Sequence, residues 1–165
     1  MSNVLFKIRS ANLNDATAIA TIGFKSWHDS YTGLISEEHL SSINLNQQID
    51  KCGLAIKNGK NFLIATDDLN TPIGYTQFGI GRASPKENEI YALYVSKHIR
   101  SKGLGSILLF EVEKRFASSK PILIRVLKEN LRARKFIETN QYRYVSGRDG
   151  IFRGIAPDVA YVKVL

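Results

Sequence analysis

Residues 93–106 read Leu-Tyr-Val-Ser-Lys-His-Ile-Arg-Ser-Lys-Gly-Leu-Gly-Ser. An apolar, aromatic run from Glu89 to Val95 leads into a short basic loop, and an amphipathic segment follows at once. The two glycines, Gly103 and Gly105, let the backbone approach a ligand with no Cβ in the way. Bare N–H groups at a helix N-terminus attract anions, phosphate above all. Arg100 and Lys102 add positive charge at the same point. The pattern predicts a pyrophosphate cradle. Two common cradles do not fit. A P-loop needs a lysine directly after its last glycine, and Ser106 follows Gly105. A dinucleotide fingerprint needs a third glycine, where this chain has Leu108, and it belongs near the first strand rather than past mid-chain.

What remains is Arg100-x-x-Gly103-x-Gly105 behind a strand reading Tyr91-Ala92-Leu93-Tyr94-Val95. This resembles the coenzyme A loop of the GNAT superfamily of N-acyltransferases. Further on, Asn130-Leu131-Arg132-Ala133-Arg134-Lys135-Phe136 resembles that family's Asn-x-x-Ala-x-x-Phe-Tyr helix, which flanks the pantetheine arm. The stretch Trp27-His28-Asp29-Ser30-Tyr31-Thr32-Gly33-Leu34-Ile35 resembles its substrate-side first helix and loop. The likeness spans nearly the whole chain. It implies acetyl-CoA as co-substrate, held by Leu93, Tyr94, Val95, Arg100, Ser101, Lys102, Gly103, Leu104, Gly105, Ser106, Asn130 and Ala133. It implies that Trp27, His28 and Tyr31 face the acceptor, a primary amine of a small molecule or a protein. No metal is expected.

Acyl transfer from a thioester needs few side chains. The enzyme aligns amine and carbonyl, removes an ammonium proton, stabilises an oxyanion and lets a thiolate leave. In the family the strand that matches Glu89 to Val95 is splayed from its neighbour, which turns backbone groups of Leu93 and Val95 toward pantetheine. Glu89 opens that strand and is the expected general base. The family's acid is a tyrosine seven residues after the asparagine, and here that position is Ile137. Tyr142 is the expected replacement, with Tyr144 and Tyr94 as alternatives, or the thiolate leaves unassisted, since a thiol pKa near 8.5 makes it a tolerable leaving group.

Charge points the same way. Residues 1–85 carry 7 Lys and Arg against 7 Asp and Glu, whereas residues 86–165 carry 16 against 8. The whole net charge of +8 therefore lies in the half with the glycine loop, as a multiply phosphorylated ligand requires. Nucleic acid would also suit a basic half, but no zinc-ligand spacing, aromatic RNP motif or long basic run is present. Three classes stay open: an N-acetyltransferase, a GNAT-fold coenzyme A-binding protein that has lost catalysis, and a basic nucleic-acid-binding domain.

At 165 residues one domain is expected, with 44% hydrophobic residues to fill a core. No apolar run reaches the roughly 20 residues of a membrane span. Met1 to Arg9 lacks the long apolar stretch of a signal peptide. Cys52 is the only cysteine, so the expectation is a cytoplasmic protein without an internal disulfide, Cys52 being apolar filler. A homodimer is a further partner to consider.

The elements that would position these residues follow from periodicity. Strands are predicted at Phe6–Arg9, Asn61–Thr66, Pro72–Phe78, Glu89–Val95, Ile122–Leu127, Tyr142–Val145 and Val159–Leu165. Helices are predicted from a cap at Asn14 or Asp15 to Ser30, from Ser36, over Leu45 to Asn58, from Leu104, and from Asn130 to Asn140. Residues 146–157 read as a loop or hairpin. Together they give an α/β (α+β) architecture: a mixed central sheet of about six to seven strands with helices on both faces, in agreement with the GNAT fold.

Overall fold

The computed structural model describes residues 6–116 and 120–165, so Met1–Leu5 of the N-terminal stretch read above as Met1 to Arg9 lie outside the described residues. Eight strands form one mixed sheet in the order β1-β2-β3-β4-β5-β8-β6, with β7 beside β8. They are β1 (Lys7–Ser10), β2 (Asn61–Thr66), β3 (Pro72–Ile80), β4 (Asn88–Val95), β5 (Ile122–Leu127), β6 (Arg143–Tyr144), β7 (Gly150–Phe152) and β8 (Ala156–Lys163). The helices are α1 (Ala16–Tyr31), α2 (Glu37–Ser42), α3 (Leu45–Lys57), α4 (Leu104–Arg115) and α5 (Leu131–Thr139). The mixed sheet with helices is the expected architecture. The short strand β7 adds to the expected set, from the stretch read as a loop or hairpin.

Helix starts follow side-chain capping. Asp15 is the N-cap residue of α1, as expected, without a side-chain cap bond there, and Asn12 caps the short 3-10 turn ahead of it in a capping box with Asp15. Ser36 caps α2 and Asn44 caps α3. Asn130 caps α5 through its Oδ1, which accepts from Ala133 N–H at 3.1 Å.

Alternating side chains of β2 serve two cores. Phe62 and Ile64 pack under α1 and α3 with Ile19, Ile22 and Cys52. Leu63 and Ala65 pack under α4 with Leu104, Leu108 and Val112. The second core extends to α5 through Ile137, Phe136 and Ala133. Cys52 is buried as filler, and burial pushes its thiol up to about 11.

All strand pairs are antiparallel except β4 with β5, which α4 connects. That parallel pair is brief: Asn88 faces Ile122, Glu89 faces Leu123, Ile90 faces Ile124, and pairing stops. On its other edge β4 follows β3 to Val95 with one irregularity, where Gln77 faces Ala92 and Phe78 faces Ile90. Tyr91 is thus the bulged residue, and a bulge bends the strand at the point where β4 leaves β5.

Three buried carboxylates meet arginines, Glu87 and Glu89 at the closed end and Asp158 beyond the point where β4 and β5 part. Glu89 pairs with Arg82 at 2.6 Å, Glu87 with Arg148 at 2.8 Å and Asp158 with Arg125 at 2.5 Å. These pairs tie the β3–β4 connection, the loop before β7, and β5 to β8.

At the open end, α4 lies against α5 where Gly105 meets Phe136. A Cβ on Gly105 would stand 3.0 and 3.1 Å from carbons of the Phe136 ring. Gly105→Ala is therefore expected to destabilise the protein by about 1–3 kcal/mol, the usual cost of overpacking. Urea unfolding of Gly105→Ala, Phe136→Leu and the double variant checks this. The double variant should lose clearly less than the sum of the single losses, and full additivity would separate Gly105 from Phe136.

Candidate active site

The divergence of β4 from β5 opens a cleft of about 1260 Å³ through the middle of the sheet. Its walls come from both sheet faces: Trp27 and Tyr31 of α1, Leu93, Tyr94 and Val95 of β4, and Ala133 and Phe136 of α5. Ser96 N–H donates to Ile73 C=O at 2.8 Å. Hydrogen bonding alternates along an antiparallel pair, so Tyr94 and Ala92 turn their backbone groups to β3, and Leu93 and Val95 turn theirs toward the departed β5. These are the groups that a ligand lying as a surrogate strand would meet.

The cradle stands at the open end. Gly103 is the N-cap of α4, with φ +83° and no atom within 4 Å of the place a Cβ would take. Ser101, two residues earlier, also has a positive φ of 66°. A left-handed residue ahead of a helix start leaves N–H groups turned outward as an anion-binding concavity. Arg100, Ser101, Gly103, Leu104, Gly105 and Ser106 line the cleft. Lys102 is exposed and does not line it. The Arg100 guanidinium is largely buried, with Nε donating to Val95 C=O at 3.1 Å and Nη2 lying 3.7 Å from Asp29. Burial lowers its pKa first, and the charge of Arg132 adds to that. Arg132 and Lys135 of α5 line the same region.

These residues fit acetyl-CoA. The cradle and the cations Arg100, Arg132 and Lys135 suit its phosphates, and the free edge of β4 suits the amides of its pantetheine arm. Asn130 lines the cleft while its Oδ1 caps α5. Among the described residues no group of three His, Cys, Asp or Glu is placed to hold a metal ion, and no helix is long and apolar enough to cross a membrane.

The α1–α3 side of the cleft is aromatic. Trp27 and Tyr31 meet edge to face at 4.8 Å, and Phe152 stands 5.8 Å from Trp27. Tyr94 and Tyr75 are 5.7 Å apart. Desolvation raises the Tyr31 and Tyr94 hydroxyls above the ordinary phenol range, and each acts on the other. Both are thus neutral donors at neutral pH. The Arg153 guanidinium lies 5.3 Å from the Trp27 ring and 5.3 Å from the Phe152 ring. Phe152 and Arg153 come from the β7–β8 turn, which carries no recognisable motif. The only signal there was Gly154 after Arg153. Both have positive φ, 50° and 73°, as two-residue hairpin turns require.

Besides Lys102, three expected site residues stand elsewhere. Glu89 is 2% exposed and does not line the cleft. Its Oε1 accepts from Arg82 Nε at 3.0 Å and Nη2 at 2.6 Å, and its Oε2 accepts from Arg82 N–H at 2.8 Å. Arg82, not Glu89, reaches the cleft wall. Tyr142 is buried on the α4 face, donating to Glu113 at 3.1 Å, beside the Glu113–Lys163 pair. Burial and Glu113 raise its hydroxyl above the ordinary range. His28 does not line the cleft either, and its ring lies 4.7 Å from Phe24. Ile137, at the family's tyrosine position, is a core residue whose side chain also touches the cleft.

Comparison with known proteins agrees with the fold. The sequence profile of the acetyltransferase (GNAT) family matches residues 15–141. The chain is 29% identical over 104 residues to YuaI, an uncharacterized N-acetyltransferase of Bacillus subtilis; the match takes in 62% of this chain and 59% of that protein. It is 27% identical over 161 residues to a probable N-acetyltransferase of Mycobacterium tuberculosis, covering 94% and 91% of the two. In fold it is similar to the PaiA N-acetyltransferase of Thermoplasma acidophilum, solved in complex with coenzyme A, with a TM-score of 0.77, 23% identity and all of both chains covered. The chain belongs to the acetyltransferase (GNAT) family.

Proposed function

We propose that the chain is one acetyltransferase domain that moves an acetyl group from acetyl-CoA to a primary amine by direct attack in a ternary complex. The observation that carries this is the cleft itself, which runs from the Gly103 cradle along the free edge of β4 to the aromatic pocket of Trp27, Tyr31 and Phe152. When bound, acetyl-CoA supplies the activated acyl group.

The residues of the chain do the rest. Leu93 and Val95 offer backbone hydrogen bonds that hold the arm along β4. Trp27, Tyr31 and Phe152 exclude water from the acceptor, and the neutral hydroxyls of Tyr31 and Tyr94 are donors for charge that develops on oxygen or sulfur. A covalent route through Cys52 is disfavoured. With its thiol at about 11, only about 10⁻⁴ of it would be thiolate at neutral pH.

The proton of the acceptor is handled without a dedicated carboxylate. Arg82, Arg125 and Arg153 line the acceptor side, and like charge favours the neutral amine over the ammonium. Glu89 then acts as a positioning residue, holding Arg82 at the wall through its three hydrogen bonds. Tyr142 supports α4 through Glu113.

Three measurements test this reading. Gly103→Asp adds bulk and negative charge at the cradle, and Asp tolerates a left-handed conformation better than most residues. It should fold normally, lose acetyl-CoA binding in a calorimetric titration, and lose amine-dependent thiol release. Unchanged affinity would remove the loop from the site.

For the base, the low-pH limb of kcat/KM should follow the pKa of the amine supplied, moving when a more or less basic acceptor is used. Glu89→Gln should leave that limb in place and lower stability by about 1–3 kcal/mol, the cost of weakening a buried hydrogen-bonded pair. A fall in kcat/KM of about 10²-fold with loss of the limb, at unchanged stability, would instead make Glu89 the general base.

For the acid, Tyr142→Phe should cost far less than the roughly 10²-fold of a lost general acid. A loss on that scale in kcat, with the melting temperature preserved, would restore Tyr142 to the chemistry.

A further inference from the structure

The acceptor side of the cleft is unusually short of carboxylates. Lys51, Lys60, Arg82, Arg125 and Arg153 line it on the α1–α3 face, and the one lining carboxylate among the described residues is Asp29. Asp29 is already engaged with cations at the cofactor end, 3.7 Å from Arg100 and 3.8 Å from Lys97. Arg82 and Arg125 have buried carboxylate partners of their own. Arg153 differs. Like Lys51 and Lys60 it has no carboxylate partner among the described residues, but of these three it alone lies against aromatic faces, those of Trp27 and Phe152.

The turn explains why Arg153 stands there. Ile155 N–H donates to Phe152 C=O at 2.8 Å and closes a two-residue turn, with Arg153 and Gly154 both left-handed. This geometry aims the guanidinium back over α1. Its positive charge reaches into the pocket and lowers the pKa of Tyr31, Tyr75 and Tyr94 against the larger effect of desolvation. Contact with the two rings holds the guanidinium at the pocket, and no hydrogen bond or ion pair among the described residues takes up its N–H donors. Those donors match a carboxylate in two parallel hydrogen bonds.

We propose that Arg153 selects the acceptor by binding an anionic group on it, so that the substrate is an amine that also carries a carboxylate, in the manner of an amino acid, and not a polycationic amine. The inference rests on the acetyl-transfer reading above and adds the substrate class. A free ammonium with no anionic group meets no uncommitted carboxylate among the lining residues described here. A carboxylate-bearing amine brings the compensating charge with it, and its side chain has Trp27 and Phe152 to lie against.

The test uses matched pairs of acceptors: phenylalanine with phenethylamine, leucine with isoamylamine, and lysine with cadaverine. Each is assayed for acetyl-CoA-dependent thiol release, and its binding to the protein–CoA complex is measured by calorimetry. The amino acid of a pair should exceed its decarboxylated partner by about tenfold or more in kcat/KM. Arg153→Asn, chosen because Asn tolerates a positive φ, should bring that ratio close to one by raising the KM of the amino acid, with the KM of acetyl-CoA unmoved. Arg153→Lys should keep part of the ratio. Phosphoethanolamine is the control for anion type, and a preference for it over the amino acids would overturn the carboxylate assignment. Decarboxylated amines serving as well as or better than amino acids would overturn the proposal, as would a ratio unchanged in a folded Arg153→Asn. If amino acids bind the CoA complex in an Arg153-dependent way and no thiol is released, the specificity stands and the transfer reading fails. If neither member of any pair binds, the specificity fails.

Discussion

Beyond Ile90 and Ile124 the backbones of β4 and β5 have no ladder left to complete. Backbone N–H and C=O groups must be paired or wetted, and leaving them buried without a partner costs about 1–3 kcal/mol each. The divergence therefore survives only if something else meets those groups. An open cleft admits water to them, and the amides of an extended ligand can take its place. The bulge at Tyr91 and the Glu89 and Glu87 ion pairs at the closed end fix where the strands part. A sheet closed along its full length would leave no site, whatever side chains surrounded it.

The cleft is divided by charge and by surface. Its cofactor end joins the left-handed start of α4 to Arg100, Arg132 and Lys135. Its acceptor end is lined by rings from α1 and from the β7–β8 turn, with cations behind them. The buried carboxylates near the acceptor end are held by arginines and give it no free negative charge. An electropositive pocket serves two purposes in this scheme. Under the proposed reaction it would weaken the proton on a bound amine and reward an acceptor that brings its own anion.

Much of this was legible in the sequence because backbone requirements leave strong local marks. Gly103 and Gly105 with Arg100 marked the cradle, and Asn130 with Ala133 marked the cap of α5. The strand periods of Asn61–Thr66 and Ile122–Leu127 gave two strands at their observed bounds. Gly105 carries a second role that no motif displays, since it is also the gap that admits Phe136. What escaped was set by distant partners. A carboxylate on the central strand reads as a base, and only the fold reveals Arg82 closing over Glu89 from the β3–β4 connection. Tyr142 follows the sequence of a family helix, yet its hydroxyl points to Glu113, 29 residues away. Phe152 and Arg153 sit in a short hairpin whose placement depends on β8, so no local pattern joins them to Trp27.

The most direct measurement is amide hydrogen exchange with and without coenzyme A. Occupation of the divergent edge predicts slowed exchange at Leu93 and Val95 and at the amides of Gly103 to Ser106. The amides of β1 and β2, remote from the cleft edge, should not change. Protection of β1 and β2 instead, or none at Leu93 and Val95 at saturating ligand, would contradict the account.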